Sequence, residues 1–142
     1  AIDRRTRLVH LKIYGDKSKK SSADFINEII DYFPFKITKI LTDNGKEFTD
    51  KFDKGRNKPS GNHIFDLVCK KNDIEHRLTK PYTPKTNGMI ERFNRRIQEN
   101  VLDKFIFKDI NEMEKCVFRY LYEYNFFIKQ KKSNQINMLG SF

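Results

Sequence analysis

The sequence predicts an α/β fold, a mixed sheet covered by helices. Two observations carry that prediction. Short β-rich runs at residues 8–14, 37–42 and 74–78 alternate with stretches whose apolar residues recur three and four apart. The resulting order, strand, strand, helix, strand, helix, strand, helix, helix, is that of a sheet flanked by helices. The 142 residues suit one domain, and 13 Phe with 6 Tyr give its core bulk.

Ala1 and Ile2, a polar turn over residues 3–7, and residues 8–14 read as a hairpin, with Val9, Leu11 and Ile13 on one face. A basic loop over residues 15–20 leads to Ser21 or Ser22, either of which can cap a helix. Phe25, Ile26, Ile29, Ile30 and Phe33 form that helix's stripe, and Pro34 stops it. A strand over residues 37–42 ends at Asp43, and Asn44-Gly45 marks a turn. Residues 49–62, with Gly55, Pro59 and Gly61, form a long loop. Residues 64–71 read as a helix with Ile64, Leu67 and Val68 on its buried side, and residues 74–78 as the last strand. After a loop containing Pro81 and Pro84, Asn87 caps a helix running to about Phe107. Its stripe is Ile90, Phe93, Ile97, Val101, Leu102 and Phe105. Asp109 caps a final helix carried by Ile110, Met113, Val117, Leu121 and Tyr124.

Charge narrows the function. Lys and Arg total 29 against 19 Asp and Glu, a net charge of +10, which favours a polyanionic partner such as nucleic acid. Cys69 and Cys116 stand alone, so neither a zinc site nor a disulfide framework is indicated, and a reduced cytoplasmic chain is expected. No apolar run approaches the roughly 18 residues of a membrane helix.

Two carboxylates stand out by position. Asp43 ends a strand expected to be parallel, where ligands of open α/β sheets bind. Taken singly, an Asp before Asn-Gly is most often a turn residue. Glu91 lies in the first turn of a long helix, where most acids only complement the helix dipole. Its neighbours Ile90 and Phe93 place it at the edge of the apolar stripe, where a partly desolvated carboxylate needs a cation, either a metal or Arg92 or Arg95. Together the pair can supply two hard oxygen ligands for Mg²⁺ or Mn²⁺ in phosphodiester chemistry. Such sites normally take a third carboxylate, and no other residue obviously supplies it.

The segment Leu41-Thr42-Asp43-Asn44-Gly45-Lys46-Glu47-Phe48 resembles the TDNGxEF segment of the integrase catalytic core family. Residues 81–95, with Pro81, Pro84, Asn87, Gly88, Glu91, Arg92, Phe93, Asn94 and Arg95, resemble its PxxPxxNGxxERFNR segment. The similarity covers residues 1–125 and looks closest to bacterial insertion-sequence transposases, leaving residues 126–142 as a divergent tail. It implies a ribonuclease-H-like fold and a DDE triad binding two Mg²⁺ (or Mn²⁺) ions, with Asp43 as second acid and Glu91 as third. The family's first acid lies on its first strand. Asp3 falls one strand too late, so the first strand and its Asp are expected to be missing from this chain.

The implied activity is DNA strand cleavage and strand transfer in integration or transposition. The alternative is a truncated remnant that keeps nucleic-acid binding alone, and without a third acid the chain as given is expected not to catalyse strand transfer. A plain ribonuclease-H-like nuclease fits the two motifs less well. The implied partners are transposon-end and target DNA, in a homo-oligomer when intact, at the bacterial nucleoid. Candidate DNA-contacting residues are Asn44, Lys80, Lys85, Asn87, Arg92, Arg95 and Arg96, with Arg4, Arg5, Arg7, Lys17, Lys19 and Lys20 forming a second basic cluster. At the position two turns after Glu91, usually basic in the family, this chain has Gln98.

Overall fold

The computed structural model describes residues 1–80 and 88–128. The chain divides into two compact units, residues 1–13 with 88–142, and residues 14–87. The expected Asn87 cap, the candidates Lys85 and Asn87, and most of the tail lie outside the described residues.

The second unit is built as helix, strand, helix, strand. Helix α1 spans Lys19–Tyr32, strand β1 Lys39–Thr42, helix α2 Ile64–Lys71 and strand β2 Glu75–Leu78. The cap of α1 is Ser18, not Ser21 or Ser22, so the helix starts earlier than its apolar stripe. The reason lies in Asp16. Its carboxylate takes the Ser18 amide and the Ser21 hydroxyl, which frees the Ser18 hydroxyl to accept from the Ser21 amide at 3.1 Å. Those same bonds, Ser21 first, hold the Asp16 carboxyl below the usual range. At the other end Phe33 precedes Pro34 and takes an extended backbone, which closes α1.

β1 and β2 pair in parallel, with Ile40 opposite His76 and Thr42 opposite Leu78. The alternation is clean. Lys39, Leu41, Glu75 and Arg77 face solvent, with Lys39 and Arg77 both paired to Glu75, while Ile40, Thr42, His76 and Leu78 are half-buried. The bounds of α2 match the sequence expectation, but its buried face does not. Phe65 and Cys69 are buried, whereas Ile64 is exposed and Leu67 is 49% exposed. An α2 flanked by α1 and β2 turns its Phe65 and Cys69 side inward, and Ile26 and Ile29 of α1, with Phe33 at its C-cap, are buried as well.

In the first unit, helix α3 spans Gly88–Ile97 and helix α4 spans Ile110–Phe126. The expected hairpin at residues 1–14 is reduced to one antiparallel bridge, Ile2 with Val9. Its turn is closed by Asp3, which accepts from the amides of Arg5 and Thr6 and from the Thr6 hydroxyl. Arg7 completes the turn at a positive φ of 67°. The long helix expected to reach Phe107 ends sooner. After Ile97 it passes into a π-helical turn, Gln98–Leu102, closed by the Asp103 amide on the Gln98 carbonyl, and Phe105 is 54% exposed. Asp109 caps α4 as expected, through the Glu112 amide. Val9, Phe93, Ile97, Val101, Val117, Leu121 and Tyr124 form the core, with the Phe93 and Tyr124 rings edge-on at 4.8 Å.

Candidate active site

β1 delivers Asp43 to the carboxyl end of a parallel strand pair. The Asp43 side chain is exposed, and its Oδ1 accepts from the Gly45 amide at 2.9 Å. That is the turn-capping role typical of an Asp before Asn-Gly. Among the described residues Oδ2 accepts no hydrogen bond, so one oxygen is fixed and the other is not.

The loop behind Asp43 is anchored on every side. The Asn44 amide nitrogen donates to the Thr79 carbonyl at 3.0 Å, and the Thr79 amide returns to the Thr42 carbonyl at 2.9 Å. Amides of Phe48 and Thr49 both close on the Gly45 carbonyl. The Ser22 hydroxyl, from α1, donates to the Glu47 carbonyl. His63, buried at the cap of α2, accepts from the Phe65 amide through Nδ1, which leaves Nε2 to donate to the Lys46 carbonyl at 3.1 Å. The flexible Glu47 side chain lies over Gly45. A Cβ added to it would meet the Glu47 carboxylate at 2.7 Å. Asn44, a candidate for DNA contact, thus spends its amide nitrogen inside the unit, and its Oδ1 is buried with no hydrogen-bond partner among the described residues.

Glu91 stands in the first turn of α3 and is exposed, so the half-desolvated setting expected from Ile90 and Phe93 does not hold. The stripe turns inward at Phe93 and Ile97, leaving Glu91, Arg92 and Arg95 on the outer face. Arg96 is half-buried, with its guanidinium 6.0 Å from the Tyr124 ring. Burial raises the Tyr124 hydroxyl above its ordinary range, while Arg96, Arg7 and Arg92 pull it back. Gln98 donates to Asp103 and so helps close the π turn. Arg7 reaches the Met89 sulfur, and Arg4, Arg5, Lys17 and Lys20 are exposed. Lys19 is exposed and lies 3.8 Å from Asp53. Lys80 is exposed at the end of β2.

Asp43 and Glu91 fall in different units, and each is an exposed carboxylate at the start or end of an element. Among the described residues, no three of His, Cys, Asp and Glu gather as a metal site, and no helix is long and apolar enough to cross a membrane. Sequence reasoning singled out neither Asp66 and His76, which meet beneath the Asp43 loop, nor Ser22 and His63 as anchors of that loop. Polar residues inside segments otherwise read as helix or strand were the available signal.

Residues 72–128 match the integrase core domain family. The ORF3 protein of Spiroplasma virus SpV1-C74, described as an integrase, is 29% identical over 133 residues, which is 88% of this chain and 36% of that protein. The chain therefore spans about a third of that relative's length. Among solved structures, a chain of the simian T-cell lymphotropic virus intasome matches 96% of this chain and 45% of its own length, at 19% identity and a TM-score of 0.72. The catalytic core domain of BIV integrase matches 95% of this chain and 75% of its own, at 20% identity and a TM-score of 0.63. The matched segment and the viral relative make this chain similar to the integrase core family, and the solved structures show that it shares the ribonuclease-H-like fold.

Proposed function

We propose that the chain is the catalytic core of a transposase or integrase that cleaves DNA strands and transfers them to a target, and that Asp43 and Glu91 hold a divalent cation, Mg²⁺ or Mn²⁺. The observation that carries the reading is the Asp43 loop. An exposed carboxylate ends a parallel strand, one oxygen pinned by Gly45 and the other open, on a loop anchored from α1, α2 and β2. Such an oxygen suits a hard cation. Asp43 and Glu91 would hold the ion, which when bound would supply activation of a water or a 3′-hydroxyl and stabilisation of the leaving oxygen. The chain's own residues would aim the carboxylates and hold the phosphate backbone. Arg92 and Arg95, on the outer face of α3, and Lys80, at the end of β2, are suited to phosphate contact. Lys85 and Asn87 belong to the same proposal by motif. DNA as partner and assembly as a homo-oligomer complete it.

The test uses Fe²⁺ in place of Mg²⁺, with peroxide and ascorbate, to cut the backbone where the ion sits. Cleavage near both residue 43 and residue 91, lost in Asp43→Asn, is expected. Cleavage near only one of them overturns the shared site. A second reading keeps DNA binding without catalysis. It is favoured by the donor count, since two carboxylates are few for an ion that prefers six ligands. Strand-transfer assays on the chain as it stands separate the two. Absence of turnover with intact DNA binding supports the second.

A further inference from the structure

Beneath the Asp43 loop runs a chain of hydrogen bonds that links three elements. Asp66 on α2 accepts from His76 on β2, Oδ1 to Nδ1, at 2.6 Å. The His76 Nε2 lies 2.8 Å from the hydroxyl of Thr42, the last residue of β1. That hydroxyl is also 3.0 Å from the Asp43 carbonyl oxygen. The His76 and Asp66 side chains are only 7% and 12% exposed. The Phe65 ring packs 4.8 Å from the imidazole. Apolar cover and two polar partners thus fix the ring in one orientation.

This arrangement is costly as a stabilising device. The Asp66 Oδ2 is buried with no hydrogen-bond partner among the described residues. A buried carboxylate with one oxygen unpaired loses hydration it does not recover. Apolar residues of similar volume at positions 66 and 76 would do as well for stability. What apolar residues cannot do is hold the Thr42 hydroxyl. The held group sits one residue before Asp43. The other side of Asp43 is fixed by Asn44 on Thr79 and by Gly45 on Oδ1. With Oδ1 engaged, the direction of Oδ2 follows from the backbone of residues 42–45.

We propose that His76, braced by Asp66, is a positioning residue that fixes the Thr42 hydroxyl and so aims the Asp43 carboxylate at its cation. The inference rests on the reading of Asp43 as a metal ligand. His76 and Asp66 touch no metal in it. They act as outer partners act on ligands elsewhere, by restricting the orientations a ligand samples.

The test measures Mn²⁺ uptake by the full chain from the loss of the free-ion EPR signal, with no DNA present. Asp43→Asn, Thr42→Val, Thr42→Ser and Asp66→Asn are compared, each checked for folding by circular dichroism. Thr42→Val removes only the hydroxyl and is expected to weaken Mn²⁺ binding by about 10- to 100-fold. Thr42→Ser restores the hydroxyl and should stay near wild type. Asp66→Asn, which keeps shape but weakens the grip on His76, should fall between them. Hydrogen exchange of the Gly45 amide should speed up in Thr42→Val and not in Thr42→Ser. A purely structural role would lower melting temperature and leave Mn²⁺ affinity unmoved. Unchanged affinity in folded Thr42→Val and Asp66→Asn, with binding lost in Asp43→Asn, overturns the inference alone. Wild-type uptake that Asp43→Asn does not reduce overturns the metal reading and the inference with it.

Discussion

Asn125 does the work of a neighbouring strand, and removing its side chain should show how much. Ile2 and Val9 form a bridge in which the hydrogen bonds are made by their neighbours, Ala1 with His10 and Asp3 with Leu8. In such a pair the amide and carbonyl of Val9 point away from Ile2. They point at Asn125, whose Oδ1 accepts from the Val9 amide at 2.9 Å and whose Nδ2 donates to the Val9 carbonyl at 2.8 Å. Val9 is 0% exposed, so both backbone groups are cut off from water. Asn125→Ala orphans both. An orphaned buried group costs about 1–3 kcal/mol, and partial water entry trims the sum, so a loss of about 3 kcal/mol is expected. For a chain of 142 residues that lowers the melting temperature by roughly 10 °C. Asn125→Asp keeps the acceptor and loses the donor, and should cost an intermediate amount. Urea unfolding followed by circular dichroism and tyrosine fluorescence measures it, since the sequence has 6 Tyr and no Trp. A loss under about 0.5 kcal/mol in Asn125→Ala would refute the reasoning. It would mean that Val9 finds other partners.

Further outcomes follow from burial and charge. Cys69 is 1% exposed, and burial, helped by the Asp66 carboxylate, pushes its thiol up to about 12, above its ordinary 9.0. A group with a raised folded pKa stabilises fully below its unfolded value and loses that contribution as pH rises through the folded one. Alkaline loss of stability is therefore expected between about 9 and about 12, and should shrink in Cys69→Ala. At pH 8 iodoacetamide should modify Cys116 well before Cys69, as mass spectrometry of timed samples can show. Random duplex DNA should bind with an affinity that falls steeply with salt, by about 0.9 log units per decade of salt for each phosphate neutralised. Removing the Arg92 and Arg95 side chains together should flatten that slope by roughly 2 in fluorescence anisotropy, and an unchanged slope would place the DNA elsewhere.

The positions of the helices were legible where caps and breakers spoke, and their faces were less so. Asp109, Pro34 and the bounds of α2 needed nothing beyond local chemistry. The face of α2 did, because eight residues hold two apolar rows and only the neighbours α1 and β2 choose between them. The end of the α3 stretch shows a subtler limit. Phe93, Ile97 and Val101 are spaced by four, and on a straight α-helix each such step drifts about 40° around the axis. Apolar spacing alone therefore predicts a continuing helix whose stripe wanders. The π turn at Gln98–Leu102 takes up one extra residue and helps return Val101 to the core beside Phe93. Phe105, beyond that turn, is left in solvent. The strands lost residues at their ends for a related reason. Residues 37 and 38 have β character, but β1 pairs with β2 only from Lys39 to Thr42.

At the candidate site the exposed acids could be read from the sequence, and what holds one of them could not. Asp43 and Glu91 stand in long motifs, so choosing them as candidates needed no structure. Thr42, Asp66 and His76 are separated by 24, 10 and 34 positions, and no periodicity links them. Each has an ordinary local role: a strand residue, a first-turn acid and a strand histidine. Only the parallel register, which sets Ile40 opposite His76, brings the imidazole under Thr42. The two acids also differ in support. Asp43 is fixed through its own Oδ1 and through neighbours tied to α1, α2 and β2. Glu91 makes no hydrogen bond or ion pair among the described residues and stands exposed on the first turn of α3. Engaging Glu91 with any partner therefore costs side-chain entropy that Asp43 has already given up. Substitutions that loosen the Asp43 loop should therefore weaken Mn²⁺ uptake more than conservative changes around Glu91.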